Sequence, residues 1–143
     1  MNSATQNTAS NTLTVQFLDG SFPGHPVDCQ NETIADAVGM IETLVLDAEA
    51  GRFDSSWPTD RAAYRIVDGN EEIITPSQSE QIAGRTCGRR AAADLTQEVA
   101  ANLAGITTQQ WSRIERAGRG DIATSTLKRV AAALLCTMDD LAG

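Results

Sequence analysis

The chain has 143 residues, of which 41% are hydrophobic and 21% charged, a composition typical of a folded protein rather than a disordered one. Its net charge of −8, taken alone, argues against nucleic acid as a partner. The longest unbroken apolar run covers residues 130–136, which is far shorter than the ~20 residues that a membrane span requires.

The first dozen residues are mostly Ser, Thr, Asn and Gln. They contain neither the basic cluster nor the apolar stretch of a signal peptide. We therefore predict a flexible polar tail over residues 1–12 and a cytoplasmic protein.

Charge is distributed unevenly along the chain. Residues 1–76 hold 12 acidic residues and 3 arginines (net −9), whereas residues 77–143 hold 7 acidic and 8 basic residues (net +1). Such asymmetry indicates two modules with different partners. We place them at residues 13–76 and 77–143.

The first module begins with a strand, because Leu13, Val15 and Phe17 alternate with polar residues. Turn signals follow at residues 19–20 and 23–24, so a short second strand near His25–Cys29 would complete a hairpin.

A helix is predicted next, over residues 32–50, and Gly51 should end it. Its apolar residues recur at spacings of three and four, at Ile34, Val38, Ile41, Leu44, Val45 and Ala48. A second hairpin is predicted from residues 63–67 and 72–75, because Asp68-Gly69-Asn70 between them is a tight-turn signal. The module is therefore α+β, with two β-hairpins and one helix.

From Ser77 onward the pattern is helical. A first helix is predicted over residues 79–93, broken or weakened by Gly84 and Gly88. A second should begin after Thr96, whose side chain can cap it, and end at Gly105.

A third helix should begin after Thr107, which forms a capping-box pattern with Gln110, and run to about Arg116. A fourth, capped by Thr124 or Ser125, should reach Leu135, and residues 138–141 would add a last turn. The second module is therefore an all-α domain of four to five helices.

Several segments of this module resemble one family. Leu95-Thr96-Gln97-Glu98, Gly105-Ile106-Thr107 and Ser112-Arg113-Ile114-Glu115-Arg116 resemble the XRE (Cro/phage-repressor-type) helix-turn-helix signature. Residues 125–130, followed by Ala133-Leu134, are most similar to the fourth helix of HigA-type antitoxins. The resemblance covers residues 85–141 and implies a DNA-binding transcription regulator whose third helix enters the major groove.

Two helices that cross steeply need small residues at the crossing, here Ala100, Ala101, Ala104 and Gly105. Trp111 stands where the family usually has a smaller aliphatic residue; we favour a core anchor, with a wedge against DNA as the alternative. The predicted buried set is Leu95, Val99, Leu103, Ile106, Trp111, Ile114, Leu127, Val130 and Leu134.

The resemblance also implies where DNA would be contacted. Gln pairs with adenine and Arg with guanine or with phosphate. The alternative for the same group is a solvated polar face. The candidate DNA-binding residues are Gln97, Thr107, Thr108, Gln109, Gln110, Ser112, Arg113, Arg116 and Arg119.

The tetrapeptide at residues 107–110 repeats one in a lambdoid phage repressor's recognition helix, but it is displaced by one residue when the buried positions are matched. The base-reading roles of that repressor's glutamines are therefore not transferred to Gln109 and Gln110.

Because a net charge of +1 is low for tight binding, we expect a dimer that reads two half-sites ~34 Å apart in an inverted repeat. Arg85, Arg89 and Arg90 are predicted to be solvated or to face phosphate.

The acidic module allows three interpretations: a dimerisation module, a docking site for a basic protein such as a toxin, or a small-ligand sensor. The chain would then be a dimeric autorepressor or, alternatively, an antitoxin or anti-defence protein that inhibits a partner.

We predict neither an enzyme nor a metal or cofactor site. The chain has no nucleophile motif and no phosphate loop, and His25, its only histidine, lies between Gly24 and Pro26 as a turn residue would. Cys29, Cys87 and Cys136 are too far apart in sequence for a zinc site and are expected to be reduced thiols.

Overall fold

The computed structural model describes residues 12–19, 30–53, 56–116 and 122–142. Residues 1–11 of the predicted tail, the predicted strand near His25–Cys29, and Arg119 lie outside these ranges. No helix within them is long and apolar enough to cross a membrane.

One antiparallel sheet of four strands forms the N-terminal layer in the described residues. The strands are β1 (Leu13–Phe17), β2 (Gln30–Asn31), β3 (Tyr64–Val67) and β4 (Ile73–Ile74), in the order β2-β1-β3-β4. The second hairpin, β3–β4, is confirmed. The two central strands, β1 and β3, pair with each other, with Val15 opposite Ile66. This pairing joins the two hairpins that the sequence suggested into a single sheet.

Helix α1 (Ile34–Glu49) covers this sheet. Its side chains Val38, Ile41 and Leu44 are buried with Val15 and Ile66, as the spacing predicts. The helix begins at Thr33, whose hydroxyl accepts a hydrogen bond from the Asp36 amide at 3.0 Å.

Five helices follow in the described part of the chain: α2 (Gln78–Ala92), α3 (Gln97–Ala104), α4 (Thr108–Glu115), α5 (Thr124–Ala133) and α6 (Met138–Ala142). The predicted α+β fold class is confirmed. Helices α3 and α4 begin at the predicted caps: the Thr96 hydroxyl accepts from the Val99 amide, and Thr107 forms a capping box with Gln110. Helix α2 also begins with a capping box, formed by Ser77 and Glu80, which the sequence analysis did not predict.

Two predictions about helix ends were wrong. Helix α5 begins after Ala123, with no side-chain cap, and ends at Ala133 rather than Leu135. Leu135 has φ of 57°, so a left-handed residue follows the helix.

The sequence predicted that Gly84 and Gly88 would break or weaken helix α2; α2 is continuous, so the prediction of a break was wrong. Both glycines instead allow a close approach between α1 and α2. A Cβ on Gly84 would lie 2.5 Å from the Ala35 carbonyl oxygen, and one on Gly88 would lie 2.7 Å from the Gly39 carbonyl oxygen. The contact is possible only because neither position has a side chain, and it outweighs the low helix propensity of glycine.

Candidate nucleic-acid interface

Helices α3 and α4 form a compact pair joined by a three-residue turn. Gly105 begins the turn with φ of 73°, a left-handed conformation that glycine adopts without strain. Ala100, Ala101 and Ala104 are all buried, so the helices cross on small residues as predicted.

Trp111 is fully buried at the centre of this domain, in one cluster with the three alanines and with Leu127 and Val130. The core-anchor interpretation is confirmed and the DNA-wedge alternative was wrong. The large indole fills the space beside small residues on α3, which keeps the interior close-packed.

Two of the predicted core residues are exposed instead. Val99 is 45% exposed and Leu103 is 61% exposed, on the face of α3 that points away from the cluster. The prediction was wrong because the alanines occupy the buried face of this eight-residue helix. Val99 and Leu103 are four positions apart and therefore share a face, but that face is the exposed one.

Glu115 ties the inner face of α4 to its neighbours. Its carboxylate accepts hydrogen bonds from Arg90 Nε at 2.5 Å, Trp111 Nε1 at 2.5 Å and Gln97 Nε2 at 2.9 Å. Burial by itself raises the pKa of the Glu115 carboxyl, but the hydrogen bonds from these three donors outweigh it and hold that pKa below its ordinary value.

The sequence suggested that Arg85, Arg89 and Arg90 of α2 are solvated or face phosphate. The structure shows instead that they point into the protein. Arg90 pairs with Glu115 and also donates to the Leu95 carbonyl. Arg89 pairs with Glu42 at 2.7 Å, and the Nε of Arg85 is buried. The charge of at least two of them is therefore neutralised inside the protein.

Sequence reasoning missed Glu42, which is 1% exposed in the middle of α1. It accepts from Arg61 Nε at 2.6 Å, Arg61 Nη2 at 2.7 Å and Arg89 Nε at 2.7 Å. The sequence did contain a signal for its burial: Glu42 lies four residues after Val38 and three before Val45, which places a charged residue on the apolar face of the helix. A buried carboxylate requires cationic partners.

The outer face of α4 consists of Thr108, Gln109, Ser112 and Arg113, and the C-cap residue Arg116 continues it. All are exposed except Ser112, which is half-buried. These five residues of the predicted set are therefore brought together on one accessible surface about 12 Å long.

The remaining candidates are placed differently. Thr107 and Gln110 are exposed but bonded to each other, since the Thr107 amide donates to Gln110 Oε1 at 2.8 Å. Gln97 is half-buried and donates to Glu115, at the start of α3. Lys128 and Arg129, exposed on α5, were not among the candidates; the Arg129 guanidinium lies beside Gly105.

This arrangement of two short helices crossing on alanines, with a polar helix face outward, defines a helix-turn-helix domain. Residues 88–142 match a family model described as a helix-turn-helix domain. This confirms the XRE/Cro-type resemblance for this part of the chain, whereas the similarity of the fourth helix to HigA-type antitoxins stays a prediction. Comparison with curated proteins and with solved structures gives no significant match. The domain family is one of DNA-binding regulators in general.

Proposed function

We propose that the chain is a sequence-specific transcription regulator that inserts α4 into the major groove of DNA. One observation supports this above others: the inner face of α4 is held through Trp111 and Glu115, whereas its outer face is polar and exposed. A rigidly supported helix with such a face suits the recognition of base edges, because its geometry is set before binding.

Within this proposal the nine candidate residues divide into two groups. Gln109 and Arg113, exposed on the outer face, are the base readers, because their side chains can form paired hydrogen bonds with adenine or guanine. The others hold the sugar-phosphate backbone: Gln97, Thr107, Thr108, Gln110, Ser112, Arg116 and Arg119.

We further propose that the protein acts in the cytoplasm as a homodimer on an inverted repeat and represses its own gene. Two of the arginines in the C-terminal part are paired internally, so one copy offers little positive charge to DNA. Two copies on one site would double the contacts, which compensates for weak basicity.

The experiment is a binding titration of the full chain against the DNA upstream of its own gene, at two salt concentrations. Specific binding that weakens with salt is expected, with a random duplex bound far less tightly. Gln109→Ala and Arg113→Ala should each cost about 1–3 kcal/mol at one base position, and Arg116→Ala should reduce the salt slope by about one unit.

Arg52→Ala is the matched control, since Arg52 is an exposed arginine that pairs only with Asp47 in the described part of the chain. It should leave DNA binding unchanged. Equal binding to the upstream region and to the random duplex would refute sequence-specific recognition. Specific binding to a selected sequence that is absent upstream would refute only autorepression.

A second candidate function is that of an antitoxin, including the HigA type, whose acidic module, residues 13–76, holds a basic toxin. It is favoured by exposed carboxylates such as Glu71 and Glu72, for which no ion pair with a described cation is seen. Co-expression with the product of the adjacent gene tests it. If the wild-type chain relieves growth inhibition by that product and the double variant Glu71→Lys/Glu72→Lys does not, the antitoxin function is supported. If neither the wild type nor the double variant relieves the inhibition, or if both do, the antitoxin function is contradicted.

A further inference from the structure

A cavity of about 250 Å³ lies between the sheet and the helix pair α1–α2. Val38 and Ile41 of α1 and Ile66 and Ile74 of the sheet form its apolar wall. Its volume is slightly below the ~300 Å³ at which pockets for small organic molecules begin, so its occupant must be small.

The polar lining of the cavity is unusual for this chain. Arg61, Arg65 and Arg85 all line it, and no Asp or Glu is among the described residues that do. Glu42 neutralises Arg61, whereas no salt bridge to a described residue engages Arg65 or Arg85, so these two arginines make the apolar cavity a local positive site in a protein with a net charge of −8. Such a site attracts an anion, and most strongly one removed from water.

Arg61 and Arg65 differ in how many hydrogen-bond donors their partners leave available. Arg61 is largely engaged by Glu42 and the Asp140 carbonyl. Arg65 donates its Nε to Gln16 at 3.0 Å, and no bond from its two terminal nitrogens to a described residue is seen. The terminal nitrogens of Arg65 can therefore serve a ligand.

Arg85 is the least satisfied of the three. Its Nε is buried without a hydrogen-bond partner in the described structure, and Nη1 reaches the Leu141 carbonyl only at 3.4 Å. Burial, followed by the positive charge of Arg61, lowers the pKa of the Arg85 guanidinium below its ordinary value. A buried charged donor left unpaired is costly, and a bound carboxylate would remove that cost.

We infer that this cavity binds a small organic carboxylate, with its apolar body against the isoleucine wall and its carboxylate on Arg85 and Arg65. The site is separate from the outer face of α4, and the inference does not depend on DNA binding. It lies against α2, the helix whose Arg90 holds Glu115 of α4.

The test is a titration of the full chain with hexanoate, followed by the methyl NMR signals of Ile66 and Ile74. Saturable shifts of these signals are expected, with hexanol and inorganic phosphate each binding at least about tenfold more weakly, because each lacks one half of the recognised chemistry. Equal binding of hexanoate and hexanol, or no saturable shift with hexanoate, would overturn the inference.

Arg85→Met removes the charge and keeps an unbranched apolar chain, and it should weaken hexanoate binding about tenfold or more. Arg52→Met is the matched control and should bind as the wild type does. If Arg85→Met does not give a dispersed spectrum, Arg65→Met takes its place with the same expected loss. Wild-type affinity in a folded Arg85→Met or Arg65→Met variant would refute the site.

Discussion

The Nε of Arg89 on α2 lies 2.7 Å from the carboxylate of Glu42 on α1. Arg61 binds the same carboxylate, and it also donates to the carbonyl of Asp140, which lies within helix α6. One buried negative charge thus joins the sheet-covering helix, the first helix of the C-terminal domain, and its last helix.

Replacing Glu42 by Gln should lower the free energy of unfolding by about 3–5 kcal/mol, because two arginines lose the charge that compensates their burial. Urea unfolding followed by circular dichroism measures the change. Glu49→Gln, exposed on the same helix, is the control and should stay within about 0.5 kcal/mol of the wild type. A Glu42→Gln protein as stable as the control would show that the network adds nothing net.

Gly84→Ala tests the close packing of α1 on α2. Helix propensity alone predicts stabilisation of about 1 kcal/mol. The added Cβ would instead meet the Ala35 carbonyl and the Val38 side chain at 2.5 Å, so we expect destabilisation of about 1–3 kcal/mol. Thermal unfolding shows whether the variant is more or less stable than the wild type. A more stable Gly84→Ala variant would mean that the two helices do not pack this closely.

The reverse substitution, at exposed Ala92 on the same helix, measures the contribution of helix propensity to stability, with which the effect of Gly84→Ala can be compared. Because Ala92 is the last residue of α2, Ala92→Gly should cost no more than the ~1 kcal/mol of a helix interior.

Leu135→Gly should stabilise the protein by about 1 kcal/mol. Leu135 is 93% exposed and has φ of 57°, so it adds little packing and occupies a conformation that costs a non-glycine residue about 1–2 kcal/mol. Leu135→Ala retains the backbone cost and should change little. Both can be compared by guanidinium unfolding; equal stability of the Gly and Ala variants would contradict the left-handed helix end.

Stability should depend on pH through Glu115. Its folded-state pKa is lowered, so its contribution is complete above the unfolded-state pKa of about 4.3 and is lost as the pH falls through the folded-state value. Wild type should exceed Glu115→Gln by about 3 kcal/mol at neutral pH, and the difference should narrow below about pH 4.3. Urea unfolding at several pH values measures both proteins.

Glu98→Gln, at an exposed position in the first turn of α3, is the control for that series. Its difference from the wild type should stay small throughout. A difference for Glu115→Gln that stays constant down to low pH would show that the charge of the carboxylate is not what stabilises α4.

The sequence by itself determined where most helices begin and what the C-terminal domain is. Caps such as Thr96 and Thr107 act through hydrogen bonds to amides two or three residues away, so the chemistry is contained in a few consecutive residues. The same holds for Gly105, which only has to adopt a positive φ in a short turn. Alternation and helical spacing likewise predicted β1, β3 and α1.

Only the tertiary structure decided which residues meet across distant segments. Glu42 and Arg89 are 47 residues apart, and nothing local distinguishes an arginine that binds a buried carboxylate from one exposed to phosphate. The pairing of β1 with β3, the glycine contact between α1 and α2, and the exposure of Val99 and Leu103 also depend on which element packs on which. Packing is a property of two surfaces, and a pattern along one segment describes only one of them.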